Sequence, residues 1–438
     1  MKIKINKQKI AILVFLIATC FRWFFIGIFG GIRIQILLLL GSIFLLLVQG
    51  RFRKNMLRLS SIWLLYGFSI CFNLYYKGIH SQSTTLYAIM LLEILAVLCF
   101  LDAPLDIYES SVKFLVVYGG INAIFVLLHF ALGDTFTSIY YHFLNSDAQT
   151  LADNYVQLGH YFGFFYMPAD PAGLIVYTIV FVLFGYFVLS DRKNYKKVYF
   201  PIIAVFFVAL ILTGKKGVLF CSIAAFSLVM LLIYASKNQW IKVLRYIVAV
   251  SLVLLVGYIY IITNADNPVI ARLNEFFTNI STGERYDSYR SVLYGYALSQ
   301  WQSNKLFGIG WRQFSRLTVS VYGMASGHEV NRDYLQLLCE TGLVGLTLTL
   351  IPLIVTLRRM VYVMRRMTRE KGLRQHYRVI SFAGFIQLFF VLYAFMEIPF
   401  YDYTFFAVYI LSCAIINRAY GEVKRKCTVS LADLPYTN

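Results

Sequence analysis

Charge is what this chain has least of. Only 14% of its 438 residues are Asp, Glu, Lys or Arg, against 59% hydrophobic. A water-soluble domain cannot hide that much apolar side chain, so a soluble globular protein is excluded and an integral membrane protein expected. Cysteine is scarce and badly placed for disulfides: Cys20, Cys71, Cys99, Cys221, Cys339 and Cys413 fall in apolar runs and Cys427 in the basic C-terminal tail. No exported pair is available, so neither a disulfide nor a thiolate metal site is expected. The six histidines are scattered without metal-ligand spacing, and no metal and no cofactor are expected. No internal repeat stands out, which weighs against a secondary transporter built from two echoing halves.

What is present is a series of apolar runs near the roughly 20 residues that a bilayer crossing needs. Twelve spans are read, at about 10–28, 32–49, 59–76, 85–101, 112–132, 171–190, 198–213, 217–235, 246–263, 334–357, 379–396 and 404–418. The expected fold is therefore an all-α polytopic membrane protein. The first run follows a basic flank without a small-residue cleavage site and is taken as an uncleaved span. With both termini in the cytoplasm, 28 of the 40 Lys and Arg residues lie inside, eight of them in a basic cytoplasmic loop at 358–378. That is the asymmetry the positive-inside rule asks for. The net charge of +19 then reflects topology and contact with anionic membrane lipids, and no nucleic-acid partner is expected.

Two long extracytoplasmic loops result, 133–170 and 264–333, where function is expected to sit. The first has ten aromatic residues and no Lys or Arg, but Asp134, Asp147, Asp153 and Asp170. Aromatic faces can stack on sugar rings and carboxylates can accept hydroxyl hydrogen bonds; an aromatic belt at the interface is the plainer alternative. His142 and His160 read as interfacial polar groups. In the second loop, the stretch from Lys305 to Arg332 carries Lys305, Arg312, Arg316 and Arg332 against one acid, Glu329. A helix is expected from about Arg290, capped by Asp287 or Ser288, with Arg290, Tyr294, Ala297 and Trp301 on one face. The two glycines of "NKLFGIGW" end it in a turn whose backbone can approach a neighbour closely. Lys215 and Lys216, in "LTGKKG", stand on the outer side against the positive-inside bias, as residues that hold an anion would. Snorkelling lysines in a two-glycine hairpin are the alternative.

"SVLYGYALSQWQSNKLFGIGWRQF" followed by "EVNRDYLQLLCETGLVGL" resembles the core of the O-antigen polymerase/ligase superfamily, over about 290–346. "LTGKKG" and "GFFYMPADPAG" resemble two of its other junctions. The resemblance implies a type C glycosyltransferase fold in a bacterial inner membrane, with an undecaprenyl-diphosphate-linked oligosaccharide as donor. The chemistry it implies is metal-independent glycosyl transfer at the extracytoplasmic face. A chain-length regulator is a further candidate partner. By position, Lys216 stands for the family's hairpin arginine and Arg290 for its arginine before the loop helix. The family's His-Asn before Asp-Tyr-Leu is here Asn331 and Arg332, so the base is His328 or Glu329. Lys215, Lys216, Arg290, Arg312 and Arg332 are expected to hold the diphosphate. Glu340, one turn into a span, is expected either at the substrate or as a group that orients an arginine. Two long outer loops favour a polymerase over a ligase; a transporter of lipid-linked glycans is the rival of a different class.

Overall fold

The structure is a computed structural model. It describes residues 6–21, 32–49, 59–77, 84–100, 103–144, 146–165, 167–188, 193–237, 290–322, 327–367 and 370–432, with isolated positions between 239 and 263. The expected span at 246–263, the first part of the second long loop and the expected caps Asp287 and Ser288 lie outside the described residues.

All regular structure among the described residues is helical. In chain order the helices are α1 (Lys7–Cys20), α2 (Ile32–Gln49), α3 (Leu64–Lys77), α4 (Thr84–Cys99), α5 (Leu105–Leu132), α6 (Asp134–Tyr141) and α7 (Ser146–Gln157). They continue with α8 (Ala169–Val188), α9 (Lys193–Leu212), α10 (Lys216–Ser236), α11 (Arg290–Ser303), α12 (Phe314–Ser320) and α13 (Asp333–Met367). The last are α14 (Lys371–Arg374), α15 (Tyr377–Tyr393) and α16 (Tyr403–Ala432). Every expected span within the described residues carries a helix. Helices α5, α8, α10, α13 and α16 are long and apolar enough to cross a bilayer, and shorter apolar helices run over Ile34–Val48, Tyr87–Ala96, Tyr199–Leu212 and Tyr377–Tyr393. This is the architecture of a polytopic membrane protein.

Helix α5 shows how an all-apolar helix divides its faces. Val117, Ile121, Ile124 and Leu128, at helical spacing, are exposed, whereas Leu115, Asn122, Ala123 and Val126 are buried. On the buried side Gly119 lets α8 approach so closely that a Cβ there would lie 2.2 Å from the Leu174 carbonyl oxygen. Small residues serve membrane helices this way, because close backbone approach replaces a hydrophobic drive that lipid does not supply. Helices α8, α15 and α16 form the centre, where Tyr177, Phe382, Phe389, Phe405 and Tyr409 are all buried.

Two stretches differ from the expected loops. Residues 133–170 contain α6 and α7, and the segment 358–378 is not a plain loop. Its first ten residues extend α13 to Met367, and α14 follows. Arg and Met are good helix formers, so a helix that leaves the apolar region has no local reason to stop at its first arginine.

Candidate functional site

The site is built around a fault in α13. Gly342 has φ 66° and ψ −170°, which interrupts the helix. In an unbroken helix Leu343 N–H would bond to the Cys339 carbonyl and Val344 N–H to that of Glu340. Here Leu343 N donates to Lys305 O (2.9 Å) and Val344 N to Leu306 O (3.1 Å). The released Cys339 and Glu340 carbonyls accept from Ile309 N (3.0 Å) and Gly310 N (2.9 Å). The "KLFGIG" turn thus replaces the lost helical bonds, so no buried backbone group is left unpaired there. The fit depends on two facing glycines: a Cβ on Gly308 would lie 2.3 Å from the Glu340 carbonyl carbon, and one on Gly342 2.2 Å from Leu306 O. Asn73 of α3 fastens the outside, donating to Phe307 O (3.0 Å) and Glu340 O (3.3 Å) and accepting from Trp311 N.

Glu340 follows from the same fault. Its fully buried carboxylate accepts from Arg312 N (2.7 Å), Phe314 N (3.2 Å), the Tyr401 hydroxyl (2.7 Å) and Gln336 Nε2 (3.4 Å). Protein donors fill it, so it orients Arg312 through the backbone amide. Arg312 is held at φ 56°, a conformation that a residue with a side chain adopts only when its surroundings impose it. Its Nη2 donates to Tyr401 O (2.5 Å), its guanidinium lies 5.4 Å from the Trp311 ring and 5.5 Å from the Tyr401 ring, and its Nε has no hydrogen-bond partner. Burial works against this charge, but Tyr403, Glu329 and Glu340 outweigh it and hold the guanidinium proton more firmly than usual.

Glu329 lies on the same side. Gln336 Nε2 donates to it, while Gln336 Oε1 accepts from Val330 N (3.1 Å). One amide therefore joins the Glu329 and Glu340 carboxylates. Burial raises the Glu329 carboxyl above the ordinary carboxylate range, with Arg312 and the Gln336 bond pulling the other way. Next to it, half-buried His328 donates its backbone N–H to Thr318 Oγ1 (3.0 Å). Residues 327–332 are not helical and Asn331 has φ 56°, so His328 and Arg332 do not share a helix face.

The second group of cations gathers at Glu397, a residue for which the sequence suggested no role. Its Oε1 lies 3.3 Å from Arg290 Nη2 and 4.0 Å from Lys215 Nζ. The loop carrying it is pinned to the start of α13: Asp333 N donates to Ala394 O (3.0 Å) and Glu397 O (3.1 Å), and Phe400 N donates to Asp333 Oδ2 (2.7 Å). Lys215 caps α10, and half-buried Lys216 is that helix's first residue. The hairpin holding both lysines is bound to the first long loop, where Tyr161 N donates to Leu212 O (3.0 Å) and His160 Nδ1 lies 3.0 Å from Thr213 O. Lys215 Nζ is 5.9 Å from the Tyr155 ring. Exposed Arg332 stacks 4.3 Å over Tyr294 of α11, the neighbour of Arg290 on the face expected from the sequence.

The structure therefore joins Lys215 with Arg290, and Arg312 with Glu329 and Glu340. The segment 397–401 links the two groups, through Glu397 at one end and Tyr401 at the other. Lys305 and Arg316 are exposed. Sequence reasoning missed Gln336, Glu397, Tyr401 and Asn73. The available signal was "EIPFYDY", two acids and two tyrosines packed into a short connection between two spans. Far from here, Asp106, Glu109 and His376 bring their ligand atoms within 4.8 Å of one another, a cluster that the scattered histidine spacing did not show. No curated protein matches the chain. Residues 201–350, which hold every cation and carboxylate of the site except Glu397, match the family model described as O-antigen ligase, within the same polymerase/ligase superfamily that the motifs over 290–346 resemble.

Proposed function

We propose that the protein is a polysaccharide polymerase. It moves a glycan from an undecaprenyl diphosphate donor to a lipid-linked repeat-unit acceptor at the outer face of a bacterial inner membrane, both chain termini being cytoplasmic. The observation that carries this is the convergence of Lys215, Arg290 and Arg312 from distant segments onto the loop 397–401. In the reaction the acceptor hydroxyl oxygen bonds to the anomeric carbon, the bond from that carbon to the phosphate oxygen breaks, and the diphosphate leaves with the bonding pair. Cations must meet the charge that grows on it. Lys215 and Arg290 do so once the diphosphate displaces Glu397; Lys216, next to Lys215 in the hairpin, and Arg332, stacked on Tyr294, are the further cations. These side chains supply the charge compensation, so transfer proceeds without a metal.

Glu329 takes the acceptor proton. Its raised proton affinity makes it a stronger base than an ordinary carboxylate, and Gln336 fixes its position. His328 is the second candidate. An apolar cavity of about 110 Å³ beside the break, lined by Phe68, Phe72, Phe307, Val344 and Leu348, suits a segment of the isoprenoid tail.

A ligase, transferring to a lipid A core, is the second reading, favoured by the description of the matching family. A transporter would need its charges at mid-membrane; these lie at helix ends and in loops. Purified protein supplied with lipid-linked repeat units separates the three readings: a ladder of lengths means polymerase, a single addition to core means ligase, and no transfer favours the transporter. Cysteine labelling at Ser146 and Ser320 tests the orientation, and labelling of either from the cytoplasmic side overturns it.

A further inference from the structure

The cluster of Asp106, Glu109 and His376 lies at the opposite end of the bundle from the cations. Asp106 lies in the first turn of α5, and Glu109 three residues on, on the same face. His376 immediately precedes α15. The far end of α15 leads into Glu397, and α15 spans 17 residues, so the cluster is about 25 Å from that carboxylate at 1.5 Å per residue.

An acid in a first turn is accounted for by the helix dipole, as Asp106 is; the histidine is not. His376 is only 7% exposed, and its Nδ1 has no hydrogen-bond partner. That nitrogen points at the acids, 3.8 Å from Asp106 Oδ1, too far for a hydrogen bond. Its other ring nitrogen, Nε2, is 3.0 Å from the Gln375 side-chain amide. Amide oxygen and nitrogen are interchangeable by a flip. With the oxygen inward, Nε2–H donates to Gln375 and Nδ1 presents a lone pair to the two carboxylates. Metal-ligating histidines are oriented in this way, their second N–H bound to an oxygen.

We propose that Asp106, Glu109 and His376 bind a divalent transition-metal ion of the zinc type, clasping the start of α5 to the start of α15. One imidazole nitrogen and two carboxylate oxygens form a borderline-to-hard donor set, with water completing the shell. The ligand atoms, within 4.8 Å of one another, stand wider than the roughly 3.3 Å between ligands of a tetrahedral ion at about 2.0–2.1 Å. Asp106 is 83% exposed in its side chain and swings in to close the gap. Lys113, 2.8 Å from Glu109 Oε1, is the cation the metal displaces. Lys237 is nearby as well, 5.5 Å from the ring of Tyr377. The site is remote from glycosyl transfer and takes no part in it.

The test uses full-length protein in nanodiscs, purified on a tag without histidine, stripped with chelator and dialysed against zinc alone. Wild type is expected to take up zinc in equimolar amount at about 10 µM free metal and to gain thermal stability. His376→Ala and the double variant Asp106→Asn, Glu109→Gln should bind at least about tenfold more weakly, and Lys113→Met should bind more tightly. The double variant leaves the buried imidazole in place and decides the question if His376→Ala fails to fold. No uptake by wild type overturns the proposal, as does wild-type uptake by the double variant. Glycan transfer by wild type should be the same with and without chelator; a dependence on zinc would contradict the structural role.

Discussion

The two groups of charge that meet on the loop 397–401 are built in opposite ways. Around Arg312 the groups are largely enclosed and bonded: Glu340 is spent on two backbone amides, a tyrosine hydroxyl and Gln336, and the guanidinium donates to Tyr401 O beside the stacked Trp311 and Tyr401 rings. Around Glu397 the side chains are partly open. Arg290 is 43% exposed, and one carboxylate oxygen faces both Arg290 and Lys215, the latter at 4.0 Å. Exposed ion pairs contribute little to stability, so that contact costs little to break. The first group is a fixed frame, and the open group is a pair of cations that, under the proposed function, exchange a carboxylate for a phosphate.

The contrast breaks most severely where the frame is cut. Gly342→Ala places a side chain at positive φ against Leu306 O, and Glu340→Ala leaves Arg312 N, Phe314 N and the Tyr401 hydroxyl without an acceptor. Each buried orphan costs about 1–3 kcal/mol. Both variants should lose thermal stability and all transfer together. Wild-type unfolding temperatures measured for both by scanning fluorimetry in detergent would show that the frame is not structural.

Much of this was legible in the sequence. Spans could be read because length and hydropathy alone mark a bilayer crossing, and helices lie where the described runs predict them. Lys215 and Lys216 stood out because positive charge is anomalous on what the sequence predicts to be the outer side, and Arg290 because it opens the expected loop helix. The fault at Gly342 was not legible: "CETGLVG" is continuous with an apolar helix pattern, and exchange of two ladder bonds for a remote turn leaves no periodic trace. Glu397 is one of two acids in a short connection, and its meaning comes only from partners more than a hundred residues away. Glu340 looked available to substrate because its four donors, two of them backbone amides, cannot be seen from residue type.

Glu329 belongs to the buried group yet is assigned chemistry, so it sharpens the contrast next. A carboxyl whose proton affinity is raised in the fold favours the folded state at low pH, fully below the unfolded value of about 4.3. That contribution is lost as pH rises through the higher folded value. A base must also be deprotonated, so transfer should climb over the same window, with its acidic limb above about 4.3. Glu329→Gln should abolish turnover, keep donor binding, and become more stable relative to wild type as pH increases. Full turnover by Glu329→Gln, measured on isolated donor and acceptor, removes it as base and leaves His328→Ala as the variant expected to fail.

The smallest effect lies at the edge of the open group. Tyr294→Leu removes the ring beneath Arg332, a contact worth about 0.5–2 kcal/mol. Donor binding should weaken modestly, with maximal turnover nearly unchanged. A collapse of turnover at saturating donor would place Tyr294 within the reacting centre instead.

Under the proposed function, exchange of Glu397 for the departing diphosphate by Arg290 and Lys215 is the decisive step. It is tested most directly by glycan transfer in nanodiscs with Arg290→Ala, Lys215→Ala and the double variant, each checked for unfolding temperature. All three variants are expected to keep wild-type stability, with severe loss of product in each single variant and no product from the double. A normal product ladder from the folded double variant would contradict it.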